Sequence, residues 1–318
     1  MADLNNNVFT LNTYTAAVKD GTAAAAVSWR AGWYGGGYPG GATPSILSKV
    51  DRVIFSSDTA TAVVKGPLSS TRYHHRAHGS PTDLWHGGGY PGISTVDRII
   101  FSADTATAVV KGPLALARTT LAASGNESDA WFGAGAAPSG AVSTVDRIIF
   151  SVDTATAVAK GPLTVAKAYL AASGNATDAW FGGGYPAIST VSRIIFSVDT
   201  ATAVAKGPLS AARYQQESHG NQTDAWHGAG MVSSSPVTTV DRIIFSSDTA
   251  TAVVKGPLTV ARFGLAASGN ATDAWFGAGS LSPLSLRSTV DRIIFSSDTA
   301  TAVAKGPLSE GRYGLSAN

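Results

Sequence analysis

The chain has no cysteine, which excludes disulfides, thiolate metal sites and cysteine nucleophiles. Charge is sparse as well: Asp, Glu, Lys and Arg make up 14% of the residues and nearly cancel, to a formal +2. Such a balance gives no reason to expect a nucleic-acid or polyanion partner. No stretch approaches the ~18 uninterrupted apolar residues of a membrane span, so membrane insertion is not expected. The opening MADLNNNVFTLNTYTAAVKD has neither a basic n-region nor an apolar h-region, and no secretion signal is expected. A convincing helical period is missing from every window.

What the chain has instead is glycine, 35 residues of it, with 14 prolines and a 44% hydrophobic content. That mixture suits many short strands joined by tight turns. It also has repetition. TVDRIIFSADTATAVVKGPL, residues 95–114, recurs almost letter for letter six times, anchored at Asp51, Asp97, Asp146, Ser192, Asp241 and Asp291 with a period of 46 to 50 residues. A repeat of that length is the signature of a solenoid, a propeller or an array.

Each unit divides into four strand-like pieces, represented by ARFGLAASGN (261–270), TDAWFGGGYP (177–186), STVDRIIFS (94–102) and ATAVVKGPL (106–114). All are bounded by turn residues: Ser-Gly-Asn, a glycine run, Ser-x-Asp-Thr or Lys-Gly-Pro. Four strands times six copies predict an all-β fold, a closed six-bladed β-propeller of four-stranded blades over residues 29–318. The phase of the two ends predicts how the ring closes. The last ten residues read as an inner strand with no second strand after it, and Arg30–Gly37 reads as a second strand with no inner strand before it. A C-terminal inner strand completing the N-terminal blade removes two exposed sheet edges.

Residues 1–28 match no repeat and are expected to be an N-terminal extension or docking arm, with Val8, Phe9, Leu11 and Tyr14 as its apolar groups. Length variation within the repeat is confined to the connection between second and third strands. From the motif Asp (or Ser192) to the next motif Trp the interval is always 34 residues, whereas from Trp to Asp it is 18, 12, 15, 12, 15 and 16. These loops are expected on one face as the binding surface, with Tyr38, Pro44, Tyr90, Pro138, Tyr185, Met231, Pro236, Leu281 and Arg287 as candidate contacts.

The repeated charges read as scaffold, as turn caps and blade-to-blade pairs, because a catalytic centre is built from residues that occur once. The six Asp-Thr aspartates are expected to cap hairpin turns through side-chain-to-backbone bonds. The four Asn-x-Ser/Thr sequons (Asn126, Asn175, Asn221, Asn270) fall at one repeat position and are expected to mark Gly-Asn turns, without meaning for glycosylation. Trp33, Trp85, Trp131, Trp180, Trp226 and Trp275 are expected to wedge between blades, the alternative being stacking platforms for sugars. Histidine is the least repetitive chemistry. His78 and His86 in the second blade, and His219 and His227 in the fifth, share an eight-residue spacing, and the two blades stand opposite each other in a six-fold ring. A polar channel is the expected setting, with a divalent metal site as the sharper alternative.

The order Arg, small apolar strand, Gly-Asn, aromatic pair, Gly-Gly, Val-x-x-Ile-x-Phe, Asp-Thr-x-Thr, Pro-Leu resembles the kelch repeat. It departs from that repeat in carrying Ala-Val where the fourth strand usually has Trp, and Gly-Ala-Gly at 133–135, 228–230 and 277–279. This simplified form also looks like the repetitive kelch-like proteins of tailed-phage virions. The resemblance implies a non-enzymatic structural or binding module located on the virion. It would be a fibre, spike or decoration protein, docked on other virion proteins through residues 1–28 and offering its loops to a host protein or glycan. A propeller lectin with sites between blades is the alternative. Galactose-oxidase-like chemistry on kelch propellers needs a Cys–Tyr crosslink, which this chain cannot form. No cofactor is expected.

Overall fold

The computed structural model describes residues 30–40, 45–281 and 285–318. They form six four-stranded antiparallel sheets around an axis. In the third blade the strands, from the axis outward, are Ala122–Gly125, Asp129–Gly133, Val145–Ile149 and Val158–Lys160. The other blades repeat this order. The first is assembled from both ends of the propeller sequence. Its inner strand is Ser316–Ala317, paired to the second strand Ala31–Gly35 through Gly35 opposite Ser316 and Tyr34 opposite Ala317. The closure expected from the phase of the repeat is the closure observed.

The Val-x-Arg-Ile-Ile strand is long enough to span a blade, and its phenylalanine starts a single 3-10 turn, as in Phe150–Val152. That turn reaches the neighbouring blade. Each motif Trp stacks on the Phe of the next blade with ring centroids 3.7–4.0 Å apart, the sixth pair being Trp275 on Phe55. All six indoles are 0–2% exposed, so they are wedges and cannot serve as sugar platforms. In five junctions the indole Nε1 donates to the Asp-Thr aspartate of the next blade at 2.7–2.9 Å. The same carboxylate receives the Lys-Gly-Pro lysine of the blade before it at 3.0–3.2 Å.

These aspartates therefore join blades, which corrects the turn-cap reading. Burial beside a lysine and an indole gives a carboxylate more than its own turn could offer. The glycine of Lys-Gly-Pro has a matching role. A Cβ on Gly112 would lie 1.9 Å from the Ala155 carbonyl oxygen of the next blade, where the glycine N–H instead bonds the Asp153 carbonyl at 2.7 Å. The Gly-Asn segments are turns, as expected, and the structure adds a side-chain cap: Asn126 Oδ1 accepts from the N–H groups of Ser128 and Asp129, both at 3.0 Å.

One junction differs. Ala31 occupies the position where the other blades have an aspartate that holds the third-strand arginine, as Asp83 holds Arg98 at 2.8 Å. Lacking it, Arg52 reaches across to Asp104 at 2.8 Å, and Trp33 Nε1 has no partner among the described residues.

Candidate functional site

The outer strand of each blade returns to the axis over the face that carries the variable loops. It arrives at a buried cation: Arg72, Arg118, Lys167, Arg213, Arg262 or Arg312, each 0% exposed. Five of these are arginines paired to the motif aspartate of their own blade at 2.8–3.2 Å. They also tie down the second strand, as when Arg118 Nη2 donates to the Phe132 carbonyl at 2.7 Å. The start of every inner strand is thereby fixed.

Two residues past each cation the backbone turns through positive φ, from 56° at His74 and Tyr169 to 67° at Gly314. Each of these residues donates its N–H to the carbonyl of its counterpart in the preceding blade. His74 bonds Gly314 (2.5 Å), Thr120 bonds His74 (2.8 Å), Tyr169 bonds Thr120 (2.8 Å), Gln215 bonds Tyr169 (2.8 Å), Gly264 bonds Gln215 (3.0 Å) and Gly314 bonds Gly264 (2.7 Å). The result is a closed cycle of six head-to-tail hydrogen bonds around the axis. Such a cycle polarises each bond by its neighbours and offsets the cost, about 1–2 kcal/mol per residue, of holding non-glycine residues in the left-handed region.

This collar seats a crown of aromatic rings. Tyr73, Tyr214, Phe263 and Tyr313 follow the buried cation directly, and Tyr169 follows one residue later. The loops supply Tyr38, Tyr90 and Tyr185. The first loop residue pairs, through an isolated bridge, with the residue three positions before the inner strand in every blade: Tyr38 with Tyr313, Tyr73 with Tyr90, Thr119 with Ala136, Ala168 with Tyr185, Tyr214 with Met231 and Phe263 with Ser280. The rings form one connected group. Tyr73 contacts Tyr90 at 4.9 Å, Tyr38 at 5.8 Å and Tyr313 at 6.1 Å. His74 joins Tyr73 to Tyr169, Tyr169 meets Tyr214, and Tyr214 meets Tyr185 at 5.4 Å. Seven of the nine tyrosines thus gather on one face.

The crown is uncharged. Burial pushes the His74 imidazole down to about 3, and burial together with the surrounding phenols pushes Tyr73 up to about 12. Tyr90 and Tyr185 are its most accessible members, at 45% and 54% exposure.

The loop residues anticipated from sequence all lie on this face where they are described. Pro138 stands exposed on the small hairpin of Ala136–Ala137 and Gly140–Ala141. Met231 and Pro236 pair within a similar hairpin. Leu281 is half-buried and Arg287 exposed. Pro44, and the arm residues Val8, Phe9, Leu11 and Tyr14, lie outside the described residues. Sequence reading missed Tyr73, Tyr169, Tyr214, Phe263 and Tyr313. The signal was present, in the aromatic that follows the repeated Arg in four blades.

The histidines are not brought together as the shared spacing suggested. In the second blade His78 pairs in register with Trp85, and His86 with Ala77. Alternation along the strands therefore puts the two imidazoles on opposite faces of the sheet. His78 leans on the next blade, its Nε2 3.3 Å from the Asn126 carbonyl oxygen, whereas His86 packs on Gly35 of the preceding one. His219 and His227 repeat the arrangement against Gly269 and Gly182. Only His78 and His219 line the channel, while His86 and His227 are buried between blades, and among the described residues no three His, Asp or Glu side chains form a metal-binding group.

At the channel end opposite the crown, the Gly-Asn turns, His78 and His219 surround a cavity of about 710 Å³. Deeper in, a space of about 110 Å³ is lined by Arg76 and Glu217, which form an ion pair across the axis from opposite blades. Burial raises the Glu217 carboxyl to about 7 against the pull of Arg76.

No known family model matches the chain, and no curated protein matches it. No helix among the described residues is long and apolar enough to cross a membrane.

Proposed function

We propose that this propeller is a non-catalytic binding module, and that it serves as an appendage of a tailed-phage virion, docked through residues 1–28 with its loop face outward. The observation that carries the binding reading is the aromatic crown. Five aromatics from the segments leading into the inner strands and three loop tyrosines converge there on an uncharged, partly exposed surface. Tyrosine offers large contact area with two side-chain torsions and a polar tip, which is why it dominates recognition surfaces. The repeated charges are consumed in blade-to-blade and strand-to-strand pairs, which supports a non-catalytic role. The virion assignment, and membership of the kelch-like group, are supported by the repeat's resemblance to virion kelch-like proteins.

Incorporation tests the assembly half. Full-length chain supplied during particle assembly is expected on purified virions by gold labelling, and chain lacking residues 1–28 is expected to be absent. Equal incorporation of the two removes the docking role.

A second reading, a lectin, is favoured by the phenol-rich crown, since aromatic faces stack on sugar rings while hydroxyls bond to phenol oxygens. A glycan array discriminates: specific signals lost in Tyr90→Ala/Tyr185→Ala support it, and a blank array with both proteins leaves protein docking.

A further inference from the structure

Four of the six blade junctions contain the same apolar filling near the axis. Phe132, Phe181, Phe276 and Tyr34 pack, fully buried, on Gly87, Gly133, Gly228 and Gly277, which end the second strand of the preceding blade, and the buried Leu121, Leu170, Leu265 and Leu315 share the same apolar clusters. The other two junctions are polar. Between the first and second blades the pair is His75 and His86, with ring centroids 5.2 Å apart. Between the fourth and fifth it is Gln216 and His227. All four side chains are 0% exposed.

Neither ring nitrogen of His75, His86 or His227 has a hydrogen-bond partner among the described residues. Gln216 bonds the Gly182 carbonyl at 2.8 Å through Nε2 and leaves Oε1 unpaired. These junctions stand diametrically opposed, so they divide the ring into two three-blade halves: blades two to four, and blades five, six and one. The first of them is also the junction where the Trp33 indole lacks its aspartate.

We propose that the two junctions are acid-sensitive seams, and that protonation of His75, His86 and His227 opens the propeller between its halves. The surroundings decide the direction. At the first seam the groups facing the imidazoles are Arg72, Arg76 and His74, with Asp97 on the third strand in register with His86. At the other they are Arg213, Lys167 and Glu217, with Asp241 in register with His227. Blade one faces the first seam with Gly35 and Gly36, and blade four faces the second with Gly182 and Gly183. Asp97 and Asp241 are already held by Arg72 and Arg213. Glu217 is held by Arg76 across the axis. An imidazolium in either seam therefore meets cations and no free carboxylate, in a space without water's dielectric.

Burial first, then Arg72 at His86 and Arg213 with Lys167 at His227, accordingly push those two down to about 3, and burial, then His86 and the arginines, push His75 well below its ordinary value. The unfolded or opened chain takes protons near 6.5, so the closed ring is favoured above that pH and loses stability as pH falls from 6.5 toward 3. Glu217, raised to about 7, acts in the opposite sense: its burial is most unfavourable above that pH and is relieved on acidification.

The repeat supplies its own control. In the full chain, His75→Leu/His86→Phe/Gln216→Leu/His227→Phe installs the residues of the third and fourth blades at both seams. Acid titration followed by near-ultraviolet circular dichroism and small-angle scattering is expected to show opening of the wild type below pH 6.5. The midpoint should fall by about one pH unit or more in the variant. His78→Ser/His219→Ser removes two imidazoles that burial also holds down, to about 4, but that lean on the third and sixth blades outside the seams, and it is expected to leave opening at the two seams in place. Hydrogen exchange at about pH 4.5 is expected to rise first in Ala31–Gly35, Asp83–Gly87, Asp178–Gly182 and Asp224–Gly228. A wild type that stays closed to pH 3, a seam variant with the wild-type midpoint, or a uniform rise in exchange around the ring would each overturn the proposal. Should the fourfold variant fail to fold at neutral pH, His86→Phe and His227→Phe, measured separately, carry the same comparison.

Discussion

Lys167 and Ser192 occupy, in the fourth blade, the two positions that hold a buried arginine and its aspartate in every other blade. The changes come as a pair. Lys167 Nζ donates to the carbonyls of Phe181 (3.0 Å) and Thr190 (3.1 Å), and Ser192 shares a 2.6 Å hydrogen bond with Thr164. One ion pair has been exchanged for a cation bound to neutral oxygens, and burial holds that lysine down to about 7.

The first prediction concerns alkaline stability. A folded-state value of about 7 against an ordinary 10.5 means the folded chain gains stability as pH rises from 7 toward 10.5, at about 1.4 kcal/mol per unit. Lys167→Arg/Ser192→Asp restores the pair used by the other blades, and the alkaline gain should vanish. Urea unfolding of both proteins at several pH values between these limits reads the difference. Parallel curves would remove the buried-lysine account.

The irregular first junction makes a second prediction. Ala31→Asp gives Arg52 the intra-blade partner it lacks and releases Asp104 to accept from Trp33. We expect a gain of about 1.5–3 kcal/mol, one hydrogen bond to a charged group. Thermal unfolding checks it, and Ala31→Asn serves as the uncharged comparison.

Across the axis, Arg76 and Glu217 replace residues that are alanine or serine in the other blades. Removing either alone strands a buried charge and is expected to cost about 3–5 kcal/mol, whereas Arg76→Ala/Glu217→Ala should come close to wild type. A double-mutant cycle measures the coupling. Additive losses would mean that the two charges do not depend on each other.

Ring closure gives the fourth. Truncation after Leu308 removes the inner strand of the first blade. It also removes the Arg312 partner of Asp51 and the Gly314 link in the backbone cycle. The truncated chain is expected to lose cooperative unfolding and to associate through its exposed sheet edge. Supplying residues 309–318 as a peptide should restore a cooperative transition, and a truncated chain as cooperative as the full one would contradict the closure described here.

Much of the ring was legible in the sequence because a repeat states the same local solution six times. The Val-Asp-Arg-Ile-Ile strand, the Gly-Asn turn and the Trp wedge could each be read from one copy and checked against five others. Partners lying one blade away were not legible. Asp153 looked like a turn residue because its indole partner, Trp85, is 68 positions distant. His78 and His86 looked like a pair because spacing alone does not say which face of a pleated strand a side chain takes.

Periodicity by itself determined the strand count, the number of blades and the place where the ends meet, since each unit buries its apolar face only against its neighbours. Only the tertiary structure decided which rare residues share a surface. Tyr38, Tyr90 and Tyr185 come from loops, and Tyr73, Tyr214 and Tyr313 from the segments that lead into inner strands. Closure around an axis brings those elements to one rim, and a linear sequence carries no measure of that distance.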